Sequence, residues 1–130
     1  MLDLLAENLK SRHITNVQLV LGGVRDPRLP EGVVDLVLLV DAYHEFAEPE
    51  AMMSHIRRAL KPDGRVVLVE YRKEDPSLPI LPLHKMTTEE VRDEIEPLGF
   101  QLRQALEFLP TQHILIFSRK ETAGQPAASR

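Results

Sequence analysis

The sequence contains no cysteine. Disulfides, thiolate metal sites and cysteine nucleophiles are excluded at once, and the redox character of the compartment leaves no trace in the chain. Long apolar runs are missing too, since none approaches the roughly 20 residues that a membrane-spanning helix needs. Basic clusters are short: sixteen Lys and Arg stand against twenty Asp and Glu, for a formal net charge of −4, and no run exceeds Arg57-Arg58 or Arg72-Lys73. With aromatics at 5% and no stacking platform among them, nucleic acid is not the expected partner. Metal patterns fail as well, because His44-Glu45 lacks a second histidine four residues on and His13, His55 and His113 show no ligand spacing. Ser11, Ser54, Ser77, Ser118 and Ser129 include no Gly-x-Ser-x-Gly elbow. Met1-Leu2-Asp3-Leu4-Leu5-Ala6-Glu7 carries charge inside its apolar stretch and no small-residue cleavage site, which argues against a signal peptide. The expected setting is soluble and cytoplasmic.

What is present is enough for one core. A chain of 130 residues has the size of a single domain and can bury roughly two-thirds of its unfolded surface. Its most informative stretch runs from Val34 to Phe46, where the apolar Val34-Asp35-Leu36-Val37-Leu38-Leu39-Val40 breaks into Asp41-Ala42-Tyr43-His44-Glu45-Phe46. Such a run predicts a parallel strand covered on both faces, and ligands of open α/β sheets bind beyond the carboxyl ends of such strands.

Around this stretch the pattern alternates between helix and strand. Leu2, Leu4, Leu5 and Leu9 recur at helical spacing, predicting an amphipathic helix from Leu2 to about Ser11 that begins without an N-cap residue or leading chain. Val17 to Leu21, ending at Gly22-Gly23, reads as a short strand. Glu48-Pro49 opens a second helix to about Leu60, and Lys61-Pro62-Asp63-Gly64 turns the chain into a strand at Val66 to Val69, with glycine supplying a positive φ. Strand, helix, strand at this spacing is a parallel crossover. Arg72 to Met86, with Pro76, Pro79 and Pro82, reads as a long loop. Thr87 and Glu90 form a capping box for a helix that Gly99 ends. Alternation from Phe100 to Phe108 and the run Ile114 to Phe117 predict an antiparallel hairpin, and Lys120 to Arg130 reads as a frayed, disordered tail.

Gly22-Gly23 followed by Leu29-Pro30, then Val34-Asp35-Leu36-Val37, then Leu60-Lys61-Pro62-Asp63-Gly64-Arg65 and a final hairpin resemble the C-terminal part of a class I S-adenosylmethionine-dependent methyltransferase, of the type 11 kind. The resemblance covers about Met1 to Lys120, and the Leu-Lys-Pro-Asp-Gly turn is its most specific piece. It implies a three-layer Rossmann-like α/β sheet, truncated, with about five strands and a C-terminal antiparallel hairpin, in a partial methyltransferase domain over residues 1–119. Two pieces of the family pattern are missing: the glycine-rich turn after the first strand and the ribose-binding acid after the second. Met1 accordingly reads as an internal position, from a truncated gene model, an internal start or a shortened chain.

The same resemblance implies S-adenosylmethionine as cofactor and a small-molecule acceptor. It places Gly22, Gly23 and Val24 at the adenine, where the usual carboxylate is missing unless Asp26 reaches back, and Asp41 at the cofactor's methyl side. His44 fits a general base, since imidazole titrates near neutrality and Glu45 or Asp41 can orient it. The alternative is structural, with His44 capping the next helix or binding Asp41. Tyr43, Tyr71, His84 and Lys85 are expected to line the acceptor pocket. Glu70 ends the same strand as Tyr71, where a partly buried carboxylate needs a partner, Arg72 or Lys85, and no catalytic role is expected of it. Unpaired apolar strand edges need a cover: either Val17 to Leu21 and Val34 to Val40 pair directly, or a second chain covers them as a homodimer, or the chain is unstable alone, with the homodimer as the working expectation. A non-catalytic remnant acting as a binding or dimerisation module is the rival reading.

Overall fold

The computed structural model describes residues 1–74, 76–77 and 85–120. The expected tail beyond Lys120, His84 and most of the proline-rich loop lie outside the described residues. Helix α1 spans Leu2–Ser11, as its leucine spacing predicts, but buries none of its residues. It lies along the segment that follows, sharing a shallow cavity lined by Leu9, Ile14, Val17 and Leu19.

The sheet has five strands: β1 (Val34–Val40), β2 (Leu60–Arg72), β3 (Lys85–Met86), β4 (Phe100–Leu106) and β5 (Gln112–Arg119). Their order is β1-β2-β5-β4, with β3 also pairing β2. The crossover from β1 through α2 (Pro49–Ala59) returns in parallel, with Leu36 opposite Arg65 and Val40 opposite Val69. Beyond Val69 the β1 side of β2 is taken by β3, where Tyr71 pairs Lys85 and Arg72 pairs Met86. β5 runs antiparallel on the other side of β2 and antiparallel to β4, which is the predicted hairpin.

One expected strand is absent. Val17 to Leu21 forms no ladder, and Val17, Val20 and Leu21 are exposed, so the fifth strand is Lys85–Met86 instead. A branched apolar run becomes a strand only where a neighbour satisfies its backbone groups, and none of the described strands reaches it.

The Lys61-Pro62-Asp63-Gly64 segment also differs from its expectation. It is a bulge inside β2, set between the pairs Val34–Leu60 and Leu36–Arg65. Gly64 does not adopt a positive φ; a Cβ there would lie 2.9 Å from Leu60 Cδ2 and 3.0 Å from the carbonyl oxygens of Lys61 and Val34. Glycine is required for close backbone approach. Positive φ occurs instead at Gly32, at 70°, and at Gly99, at 98°, which ends the short helical turn Glu96–Leu98 as the pattern predicts.

Helices α2 and α3 (Thr88–Ile95) pack on one face of the sheet. Met53, Ile56, Val91 and Ile95 meet Val66, Leu68, Leu115 and Phe117 in a core closed by Phe100. Each fully buried side chain of this kind contributes about 1.5–3 kcal/mol. Register puts Val37 and Leu39 of β1 on this covered face, opposite Val66 and Leu68. Leu36, Leu38 and Val40 point the other way and are 55%, 58% and 52% exposed, so β1 is covered on one face and not on both. Thr87 caps α3 as expected, accepting from the Glu90 N–H at 2.9 Å, but the Glu90 carboxylate meets Lys73 Nζ at 3.3 Å instead of completing a capping box.

Candidate functional site

The carboxyl ends of β1 and β2 meet in the cluster on which the sequence focused. After Val40 the Asp41 N–H donates to the Val69 carbonyl at 2.8 Å, the last bond of the parallel ladder. Asp41 then enters the left-handed region at φ 50°, a conformation that aspartate tolerates better than most residues. Its carboxylate accepts from Gln112 Nε2 at 3.0 and 2.8 Å, so Asp41 braces β5 and does not orient His44.

The short helical turn Tyr43–Glu45 follows, closed by the Glu45 N–H on the Ala42 carbonyl. It drives Tyr43 into the core, where its hydroxyl donates to Glu94 at 2.8 Å and its ring meets Phe46 edge-on at 5.7 Å. Burial, and then the Glu94 carboxylate, push the Tyr43 hydroxyl above its ordinary range, so it stays protonated as a donor.

His44 turns back onto β2. Its Nδ1 lies 2.6 Å from Glu70 Oε1, and its Nε2 lies 3.3 Å from Glu45 Oε1. Glu70 is fully buried, and burial pushes its carboxyl up against the opposing hydrogen bond from His44. The expected partners of Glu70, Arg72 and Lys85, are replaced by this histidine. Arg72 instead bonds Glu107 Oε2 at 2.7 Å and the carbonyls of Glu107, Leu109 and Pro110, gathering the β4–β5 turn. A signal for Glu70 was present: it continues the alternation of Val66 and Leu68, which points to the core.

Tyr43, His44, Phe46, Lys73, Lys85 and Glu94 line a cavity of about 230 Å³ between the strand ends and α3. Lys85 is buried at its rim, on β3. Tyr71 stands beside it as the pairing partner of Lys85. A larger cavity, about 940 Å³, lies between Gly32, Arg57, Leu60, Gly99 and Lys120. That cavity flanks the amino end of β2, whereas ligands of this sheet type enter at the carboxyl ends, so the smaller one is the candidate.

Gly22, Gly23 and Val24 belong to a separate turn. The Gly23 N–H donates to the Asp26 carbonyl at 2.7 Å, and a Cβ at Gly22 would lie 3.1 Å from Pro27 Cα, so the turn is packed against its own chain. Asp26 Oδ1 accepts from the Arg28 N–H and its Oδ2 sits 3.8 Å from His55. Arg25 adds a 3.9 Å contact to Glu48, which sets the turn against α2. These residues do not amount to a grip on a whole S-adenosylmethionine: the turn that would meet the adenine is closed on itself, and Asp41 is spent on Gln112.

A half-open parallel crossover with an antiparallel hairpin at its side and polar groups at the carboxyl ends defines a Rossmann-like methyltransferase sheet. Residues 1–68 match the family model of the methyltransferase domain, and the chain belongs to that family. Solved structures agree on the fold. The chain is similar to an S-adenosylmethionine-dependent methyltransferase from Aquifex aeolicus, with TM-score 0.79, 20% identity, and coverage of 86% of this chain and 60% of that one. A putative type 11 methyltransferase from Sulfolobus solfataricus matches with TM-score 0.73 and 21% identity, over 94% of this chain and 68% of that one. The mitomycin 7-O-methyltransferase MmcR matches with TM-score 0.71 and 18% identity, over 88% and 38%. The chain therefore spans 60% of the length of the Aquifex protein. No curated protein matches the sequence. Among the described residues no helix is long and apolar enough to cross a membrane, and no cluster of His, Asp and Glu suits a metal ion.

Proposed function

We propose that this chain carries the acceptor side of a domain for S-adenosylmethionine-dependent methyl transfer to a small molecule in the cytoplasm, and that by itself it is impaired in that activity or lacks it. The observation that carries the reading is the enclosed His44 at the carboxyl end of β1, beside a cavity of about 230 Å³. His44 is the proposed general base for the acceptor, with Tyr43, Tyr71 and Lys85 as the proposed acceptor pocket; His84, expected with them, lies outside the described residues. Gly22, Gly23, Val24 and Asp41 are the proposed remnant of the cofactor side. Support for a small acceptor comes from the cavity's size and from the likeness to a protein that methylates mitomycin.

Calorimetric titration of S-adenosylmethionine and S-adenosylhomocysteine into the purified chain tests this. Weak binding, on the order of millimolar, is expected. Micromolar binding refutes the impairment, and no heat at all removes the enzyme reading for this chain and leaves a non-catalytic binding module.

A second reading has its own observation. Among the described residues β1 pairs only with β2, and its outer face exposes Leu36, Leu38 and Val40. An open apolar edge invites pairing with another strand, so we propose a homodimer through β1. Sedimentation equilibrium should show a dimer that Leu38→Lys dissociates; a monomer at every concentration sinks it.

A further inference from the structure

Glu70 is fully buried, and the proposed chemistry gives it no task. Its Oε1 lies 2.6 Å from His44 Nδ1, while Oε2 is buried with no hydrogen-bond partner among the described residues. A carboxylate enclosed in this way needs a strong donor. The fold supplies one from a distant part of the chain: the left-handed turn at Asp41 and the helical turn Tyr43–Glu45 carry the imidazole back over the end of β2. The ring is nearly enclosed as well, at 8% side-chain exposure, so both members of the pair are held by packing.

A neutral imidazole carries one N–H, and the partner of one nitrogen decides the state of the other. We propose that Glu70 is the positioning residue of His44: its carboxylate accepts from Nδ1–H, holds the ring, and leaves Nε2 as the nitrogen that exchanges a proton at the cavity. The inference rests on the reading of His44 as the base. The opposite arrangement, with Nδ1 accepting from a protonated Glu70, puts the only imidazole proton on Nε2 and disables it as a base. Among the described residues, charged and titratable groups around the pair are Glu45 at Nε2, Asp41 behind the turn, Tyr43 with Glu94 from α3, and Lys73 and Lys85 at the cavity. Glu45 Oε1, at 3.3 Å on a mostly exposed side chain, is a weaker partner than Glu70 and does not set the ring.

Nitrogen-15 spectra of the full chain, labelled at histidine and recorded at neutral pH, read the tautomer directly. The wild type should show His44 with Nδ1 protonated and Nε2 bare. Glu70→Leu, which removes the acceptor, should turn His44 to the Nε2–H form, whereas Glu45→Gln should leave the tautomer unchanged. An Nε2–H form in the wild type overturns the proposal, as does a Glu70→Leu spectrum with Nδ1 still protonated. Should Glu70→Leu fail to fold, the wild-type spectrum decides alone. The spectra need neither cofactor nor acceptor. The base reading is tested separately by His44→Gln on the methyl transfer the chain retains: an Nδ1–H tautomer in the wild type with turnover undiminished in the variant supports the pair while rejecting the base.

Discussion

Replacing His44 with leucine strips Glu70 of its hydrogen-bond donor inside the core. Glu70 is 0% exposed, its Oε1 bonds His44 at 2.6 Å, and its Oε2 has no partner among the described residues. Leaving a buried carboxylate without its donor costs about 3–5 kcal/mol, because the charge stays desolvated. Replacing both by apolar residues of similar size is near neutral. His44→Leu should therefore lose about 3–5 kcal/mol at neutral pH, a large share of a domain's stability, and adding Glu70→Leu should restore most of it. The pH dependence has a definite sign. Burial raises the Glu70 carboxyl, and losing His44, which lowers it, raises it further. A raised carboxyl contributes stability that is present below the ordinary carboxylate value and lost as pH rises through the folded value. The deficit of His44→Leu should thus shrink as pH falls through the raised Glu70 carboxyl, toward the roughly 1 kcal/mol of a neutral hydrogen bond. Urea unfolding followed by far-ultraviolet circular dichroism, at several pH values, measures it. A double variant as unstable as His44→Leu, or a deficit independent of pH, refutes the reasoning.

Gly99 holds φ 98°, and a Cβ there would meet Arg57 Nε at 2.5 Å, the nitrogen that donates to the Gly99 carbonyl; Gly99→Ala should cost about 2 kcal/mol in thermal or urea unfolding. Acid should loosen the β4–β5 turn. Burial pushes Glu74 and Glu107 up, but hydrogen bonds from Thr88 and His113 to the first, and from Arg72 and His113 to the second, bring both below the usual range. Their stability contribution is present above the ordinary carboxylate value and lost as pH falls through the lowered values. Carbon-13 titration of the two carboxyls should show depressed midpoints in the wild type and smaller depressions in His113→Phe, which keeps the Thr88 and Arg72 bonds.

Much of the architecture was legible because its causes are local. The N-cap at Thr87, Pro49 at the head of α2, Gly99 in the left-handed region and the alternation of the hairpin each act through neighbours a few residues away. The Asp41 to Phe46 cluster was legible too, since an apolar run broken by polar residues marks a strand end. Its wiring was not. Asp41 turned to Gln112, 71 residues on, and His44 turned to Glu70, 26 residues on. Those pairings depend on which strands lie side by side and in what register.

By itself, then, the sequence determined the elements, the parallel crossover and the edge where chemistry can sit, because periodicity, caps and turns are properties of short segments. Tertiary structure decided what each strand and carboxylate became. Val17 to Leu21 has strand composition but no neighbour to complete a ladder, while Lys85–Met86, expected as the end of a loop, became a strand because β2 extends past Val40 and leaves that edge open to it. The same extension carries Glu70 beneath His44. Desolvation there turns an ordinary glutamate into a buried group with one strong bond, which no local pattern specifies.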